Sequence, residues 1–171
     1  LFLDFDHVDH AGHSYGFDPQ NANYIGVIEE VDQYIGLVIE SMESRINYNN
    51  EEWLIMITSD HGGNINGHGG QSIEERLIPI IISGSSVDNL NLPPQAYIVD
   101  LVPTLLQFFE QDVNCAWELD GISIGLHPSI YPTPPLCPTC PGVVNSAIDL
   151  INYTTYLSWN ENTVEGYSYS I

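Results

Sequence analysis

A glycine-rich segment that carries one aspartate and two histidines follows a short apolar run. The run Trp53–Ile57 ends at Asp60 and His61, and His68 follows seven positions after His61. A short apolar run bounded by turn residues predicts a buried strand, and ligands of open α/β sheets gather at the carboxyl ends of strands. Carboxylate oxygen and imidazole nitrogen together suit a borderline divalent metal such as zinc or manganese. This segment is therefore a candidate metal site.

A second donor-rich segment follows Leu1–Phe5, which is itself predicted to be a buried strand because it is mostly apolar. Its potential donors, all predicted to lie on one loop, are Asp6, His7, Asp9, His10 and His13. His7 and His10 are interpreted as solvated loop residues. Asp9 and His13 differ, because they lie four positions apart with a glycine just before the histidine. Combined with the first segment, they give two carboxylates and three imidazoles at separate strand ends.

The elements that must position these residues alternate between helix and strand. Tyr24–Ile46 is predicted to be a long helix, because its apolar residues recur at steps of three and four. Strand, helix and then the strand at Trp53–Ile57 imply a parallel pair with a right-handed crossover. Leu77–Ser83 predicts another strand, with Pro79 suited to its edge or its first turn. The fold class that follows is α/β.

The next segment predicts a helix whose proline restricts where it can begin. Tyr97–Phe109 has helical spacing of its apolar residues, but Pro103 would break a helix interior. A helix that begins near Asp100, with Asp100 as its N-cap, places the proline in the first turn. Asp120 and Gly121 then predict a turn before the segment 122–126.

The composition changes after residue 127. Six prolines fall within residues 128–142, which predicts a stiff linker and a domain boundary. Cys137 and Cys140 form a CxxC that could be redox-active or bind metal, but the flanking prolines and the lack of a second CxxC favour a local disulfide. Cys115 would then be free or paired elsewhere. Beyond this linker, apolar and polar side chains alternate at residues 157–159 and again at 167–171, which predicts half-buried strands separated by a polar turn.

Charge and composition limit the classes of function. The chain has 171 residues, of which 43% are hydrophobic, enough for one domain with a core and a small addition. Two basic residues against 23 acidic ones give a formal charge of −21, which disfavours nucleic acids and anionic membranes as partners. No apolar run reaches the roughly 18 residues of a membrane span. The acidity fits a secreted protein. The sequence begins without Met, and both of its ends interrupt a strand pattern, so we expect the chain to be a fragment of a longer protein.

Three motifs resemble the alkaline phosphatase superfamily, and within it the branch of type I phosphodiesterases and nucleotide pyrophosphatases. They are Asp9-His-Ala-Gly-His13, Thr58-Ser-Asp-His-Gly62 and Gly67-His68-Gly69. The resemblance spans about residues 1–127 and corresponds to the C-terminal half of the family's domain. It implies part of a three-layer α/β/α alkaline phosphatase-like domain. After the linker at 128–142, residues 143–171 resemble the first strands of a truncated fibronectin type III-like β-sandwich.

The resemblance also implies roles for the donor residues. Asp9, His13 and His68 would hold one divalent metal ion, and Asp60 and His61 a second, with zinc favoured over manganese. The Thr or Ser nucleophile and a further Asp ligand of the family are expected before Leu1, and the family gives Thr58 and Ser59 no nucleophilic role. The implied activity is hydrolysis of small-molecule phosphate esters, either phosphodiesters or phosphomonoesters. The implied location is secreted, periplasmic or at the cell surface.

Two alternatives to this function stay open at the level of sequence. One is a sulfatase of the same superfamily, which shares Ser-Asp-His-Gly followed by His-Gly. The upstream Asp-x-x-Gly-His pattern favours the phosphodiesterase branch. The other alternative is a non-catalytic secreted surface or adhesion protein with a degenerate metal-binding scaffold. The five intact donors argue against such decay. For a shared metal, donor atoms of Asp9 and His13 should lie within about 5 Å of each other.

Overall fold

A computed structural model describes residues 1–65, 67–89, 92–111, 113–117, 119–128 and 130, and the backbone of 156–157. Its helices and strands are α1 (His7–Tyr15), α2 (Ala22–Glu43), β1 (Ile55–Thr58), α3 (Ile73–Arg76), β2 (Ile80–Ser83), α4 (Leu101–Phe108) and β3 (Tyr156–Leu157). Short 3-10 turns cover Tyr48–Asn50, Ile98–Asp100 and Cys115–Trp117. The described residues form two compact units. The first contains Leu1–Glu51 and His61–Ile78, and the second contains Glu52–Asp60 and the described residues from Pro79 to Leu157.

The first unit is built on the pair of helices α1 and α2, which pack against each other. The predicted long helix is confirmed, with observed bounds Ala22–Glu43. Asn21 links the two helices: its side chain accepts a hydrogen bond from the Asn23 N–H at 3.0 Å and donates one to the Tyr15 carbonyl at 2.9 Å. A single cap residue therefore fixes the start of α2 relative to the end of α1.

The strand predicted at Leu1–Phe5 is wrong. The segment is irregular, and the side chains of Leu1 and Phe2 are 104% and 90% exposed. An apolar run becomes a strand only where another strand accepts its backbone hydrogen bonds, and none of the described strands pairs with it. The loop predicted for the following histidines is also wrong, because α1 begins at His7.

The second unit contains a small mixed sheet. β1 and β2 are antiparallel, with Ile55 opposite Ser83 and Thr58 opposite Ile80, whereas β3 lies parallel to β2. The parallel pair predicted between Leu1–Phe5 and Trp53–Ile57 is wrong, because Leu1–Phe5 is irregular and the described partner of β1 runs antiparallel to it. Among the described residues between β1 and β2, the regular element is the four-residue α3, and the chain returns to the end of β1 that it left. The strand predicted at Leu77–Ser83 is observed as Ile80–Ser83, so Pro79 lies immediately before it. Ile80, Ile81 and Ile82 are buried.

The start of α4 confirms the prediction around Pro103. The helix begins at Leu101 with Asp100 as its N-cap residue, so the proline lies in the first turn. The Asp100 carboxylate, however, accepts hydrogen bonds from the N–H groups of Tyr97 at 2.7 Å and Ile122 at 2.9 Å, not from α4. The buried Thr104 hydroxyl donates to the Asp100 carbonyl at 2.7 Å and accepts from the Ile124 N–H at 3.0 Å. These bonds fix the 119–128 segment against α4.

Several predictions lie largely outside the described residues. These are the proline-rich linker at 128–142, the Cys137–Cys140 disulfide and the sandwich strands at 143–171. The domain boundaries, the three-layer arrangement and the fibronectin type III-like domain stay predictions, whereas helices together with a small sheet agree with a partial α/β fold. In the part of the chain that is described, no helix is both long enough and apolar enough to span a membrane.

Candidate metal centre

Helix α1 places Asp9 and His13 on one face, because residues four apart in a helix lie one above the other. His13 Nε2 lies 3.4 Å from Asp9 Oδ2. Spacing alone singles out this pair in the sequence, but the loop predicted for it is a helix in the structure. Because α1 is helical, the four-residue spacing places both side chains on one face of the helix, where they point toward each other.

His68 reaches the same point from the glycine-rich segment. Its Nε2 lies 3.3 Å from Asp9 Oδ1 and 3.1 Å from His13 Nε2. One ligand atom from each of the three residues lies within 4.8 Å of the others. The structure thus brings together a carboxylate and two imidazoles, a donor set typical of zinc and related divalent metals.

Asp9 Oδ1 is the atom that best tests whether a cation fits here. It is buried from solvent and accepts no hydrogen bond from the described residues, although His68 Nε2 is near. A buried carboxylate oxygen without a hydrogen bond is costly. A cation among Asp9, His13 and His68 would remove that cost and would also separate the closely spaced imidazole nitrogens. The residues present therefore fit a divalent metal ion.

His61 lies beside this group with a defined ring orientation. Its Nδ1 is 2.8 Å from the Gly62 carbonyl and its Nε2 is 3.9 Å from Asp9 Oδ1. An Nδ1–H that donates to a backbone carbonyl places the lone pair on Nε2, which is the usual arrangement of metal-ligating histidines. His61 is thereby prepared to act as a ligand through Nε2.

The remaining candidates occupy other positions. Asp60 belongs to the second unit, where it is exposed two residues after β1 ends at Thr58. His7 and His10 are exposed on α1 and face the Asp6 carboxylate at 3.5 and 3.8 Å. Their interpretation as solvated residues agrees with this exposure. The first unit thus brings together Asp9, His13, His61 and His68 from the predicted set.

Glu75 supports the segment that carries His68, a role that was not predicted from the sequence. Its carboxylate accepts hydrogen bonds from the N–H groups of Gly70 at 2.8 Å and Ser72 at 3.0 Å. Its own N–H donates to the Ser72 hydroxyl, which completes a capping box at the start of α3. Hydrogen bonding from the Ser72 side chain, then from both N–H groups, lowers the pKa of Glu75, with a smaller effect of His68. The Ser-x-x-Glu pattern was the signal available in the sequence.

Two aromatic residues behind the imidazoles were also missed. The ring of Phe17 contacts the rings of His13, His68 and Tyr24. Burial, and secondarily the negative charge of Asp9, raises the pKa of Tyr24 above its ordinary value. No short motif marks either residue, because their relation to the donors depends on how α1 and α2 pack.

A comparison with protein families adds to this geometry. Residues 1–80 match the model of the type I phosphodiesterase / nucleotide pyrophosphatase family. Neither a curated protein nor a solved structure matches the chain. The match covers all five predicted ligands, Asp9, His13, Asp60, His61 and His68. It supports the phosphodiesterase branch of the alkaline phosphatase superfamily and indicates hydrolysis of phosphate esters in general.

Proposed function

We propose that this chain supplies metal ligands to a two-metal phosphoric-ester hydrolase. Asp9, His13 and His68 hold one metal ion. Asp60 and His61 hold the other. The observation that carries the proposal is the convergence of three donor atoms within 4.8 Å, in a stretch that matches the phosphodiesterase family. The matched family is typically metal-dependent, which agrees with the buried and unbonded Asp9 Oδ1.

The residues of the chain have separate tasks in this reaction. When bound, a pair of divalent metals polarises the phosphoryl oxygens, lowers the pKa of an oxygen nucleophile and stabilises the leaving oxygen. Asp9 supplies negative charge at the first metal position, and His13 and His68 supply neutral nitrogen donors. The Gly62 carbonyl fixes the His61 tautomer with its lone pair on Nε2. Because the chain carries a formal charge of −21, an anionic ester would be repelled without bound cations.

Three further features belong to the same proposal. The metals are zinc, with manganese as the alternative, because carboxylate and imidazole suit both. The substrate is a small-molecule phosphate ester, either a diester or a monoester. The protein acts outside the cytoplasm, as a secreted, periplasmic or cell-surface protein, a location that its strong acidity supports.

The proposal is tested by metal binding and by choice of ester. The 171-residue chain, stripped with a chelator, should bind zinc in equilibrium dialysis, and Asp9→Asn should weaken binding far more than Asp6→Asn. The protein containing this chain should hydrolyse a chromogenic phosphate diester or monoester, lose activity to a chelator and regain it with zinc.

Other outcomes would favour the alternatives. Preferential hydrolysis of a chromogenic sulfate ester would assign the protein to the sulfatases. Absence of both metal binding and ester hydrolysis would contradict the hydrolase and favour the non-catalytic surface protein.

A further inference from the structure

The ring of Phe17 lies against both imidazoles of the first metal position. It meets the ring of His13 edge-on, with centroids 5.7 Å apart and planes at 80°, and that of His68 at 5.7 Å and 83°. One rigid ring therefore contacts two histidines that come from different segments, α1 and the glycine-rich stretch. We infer that Phe17 is a positioning residue that sets the orientation of these two imidazoles and thereby the affinity of the site for metal. This inference rests on the metal centre of the proposed function.

Two glycines make room for the Phe17 ring. A Cβ atom added at Gly12 would lie 2.3 Å from the nearest ring atom, and one added at Gly63 would lie 2.4 Å away. Gly12 is inside α1, where glycine is less favourable than alanine. The close approach of the Phe17 ring is a physical reason for glycine at this position. The seat of the ring is thus formed by the same two segments that carry His13 and His68.

Edge-on contacts restrain the rotation of an imidazole about its terminal side-chain bond. That torsion is broad in histidine, so the direction of Nε2 depends on what packs against the ring. The Nε2 atoms of His13 and His68 lie 3.1 Å apart, and their rings are tilted by 53°. Without Phe17, both rings could turn and separate their donor atoms. Hydrogen-bonding groups that orient metal ligands typically contribute about 10–100-fold to metal affinity, which sets the scale for a ring that orients two ligands by packing.

The test uses cobalt(II), whose visible absorption reports the geometry of its ligands. The 171-residue chain is titrated with cobalt alongside Phe17→Leu, Gly12→Ala, the double variant and Gly26→Ala. Gly26→Ala is the matched helix control, because nothing lies within 4 Å of a Cβ added there. Far-UV circular dichroism confirms that each variant is folded.

We expect Phe17→Leu and Gly12→Ala each to weaken cobalt binding by about tenfold or more and to change its spectrum. Gly26→Ala should do neither. The double variant should bind no more weakly than either single one, because leucine lacks the outer ring atoms that a methyl group at Gly12 would meet. A residue with a merely structural role would lower thermal stability without changing the cobalt spectrum.

The outcomes separate the two levels of the argument. If the unaltered chain binds no cobalt, the metal centre of the proposed function is overturned, and the role of Phe17 with it. If the unaltered chain binds cobalt, and Gly12→Ala and Phe17→Leu match it in affinity and spectrum, only the role of Phe17 is overturned. If Phe17→Leu fails to fold, the comparison of Gly12→Ala with Gly26→Ala is sufficient. Equal cobalt affinities in these two variants overturn the role of Phe17.

Discussion

The imidazole rings of His61 and His68 lie face to face, with centroids 3.7 Å apart and planes 16° apart. In the proposed centre these two rings serve different metals, so each stabilises the other while donating elsewhere. A substitution of His61 therefore has two separable effects, loss of a ligand and loss of a stacking surface.

Phenylalanine and alanine at position 61 separate those effects. His61→Phe keeps a flat ring against His68, so we expect one metal to remain bound with nearly unchanged affinity while the second is lost. His61→Ala should lose the second metal and also weaken the first by several-fold, since His68 becomes freer to rotate. Metal stoichiometry and affinity from calorimetric titration provide the measurement. Equal first-site affinities in the two variants would show that the stack has no orienting role.

Asp60 and His10 provide a matched comparison of a proposed ligand with a solvated residue. In the protein containing this chain, Asp60→Asn should lower the rate of ester hydrolysis by more than the roughly 10–100-fold cost of a lost outer-shell partner. His10→Ala should change the rate by less than about twofold, because its side chain is 71% exposed and, within the described part of the chain, lies near the Asp6 carboxylate. Steady-state kinetics with a chromogenic ester decide the matter. Comparable losses in both variants would contradict the assignment of Asp60.

Tyr24 should report occupancy of the first metal position through its own titration. Its pKa is raised above 10.0, first by burial and second by the charge of Asp9. Because the protonated phenol is the form favoured in the folded state, this contribution to stability is present below pH 10 and is lost as the pH rises through the raised pKa. Zinc, or the substitution Asp9→Asn, should lower that pKa part of the way toward 10.0, as followed by NMR of the labelled tyrosine ring. A pKa of Tyr24 that is unmoved by zinc would place the metal elsewhere.

The hydrogen bonds from the Gly70 and Ser72 N–H groups to the Glu75 carboxylate should be lost at acid pH. Hydrogen bonds to the carboxylate, first from the Ser72 side chain and then from the Gly70 and Ser72 N–H groups, lower its pKa below 4.5. The contribution to stability is therefore fully present above pH 4.5 and is lost as the pH falls through the lowered pKa. The amide proton shifts of Gly70 and Ser72 should titrate with a midpoint below 4.5. Glu75→Gln should abolish this titration and Glu74→Gln should preserve it. A titration midpoint at or above the ordinary pKa of a glutamate would contradict these hydrogen bonds to the Glu75 carboxylate.

Thr104 should matter to stability through its hydroxyl group. Thr104→Val keeps the shape but leaves the buried Ile124 N–H without its acceptor, so we expect a loss of about 1–3 kcal/mol in the free energy of unfolding. Thr104→Ser keeps the hydroxyl and should lose less. Urea unfolding of the two variants measures the difference. A valine variant as stable as the serine variant would show that the hydrogen bond contributes nothing net.

Helices could be predicted from the sequence where an apolar pattern extended over many residues or where a proline limited the position of the first turn. α2 was found because its apolar stripe recurs over several turns, and the start of α4 because Pro103 excludes most alternatives. Leu1–Phe5 failed for the opposite reason: five residues hold no period, and a strand needs a partner that sequence does not show. The antiparallel pairing of β1 and β2 depends on the path of the connecting chain, which no local pattern determines.

The candidate site shows the same division. Residue type and spacing selected Asp9, His13, Asp60, His61 and His68, and the first unit brings together all of these except Asp60, which belongs to the second unit. Gly12 lies in the segment that was predicted to be a loop, whereas it belongs to a helix and leaves space for Phe17. That error could not be corrected from sequence, because the neighbour that requires the glycine becomes apparent only once α1 is packed.

The pairing of Thr58 with Ile80 has a consequence for how this protein can vary. The Thr58 hydroxyl donates to the Pro79 carbonyl at 2.9 Å. The end of β1 and the start of β2 are therefore held next to each other by this hydrogen bond and by the strand pairing. The residues between these two strands, including His61 and His68, form a long connection whose two ends are held together by the sheet. The entropy cost of closing such a connection rises only slowly with its length. Insertions there could therefore remodel the surroundings of the metal position while the strand register stays unchanged.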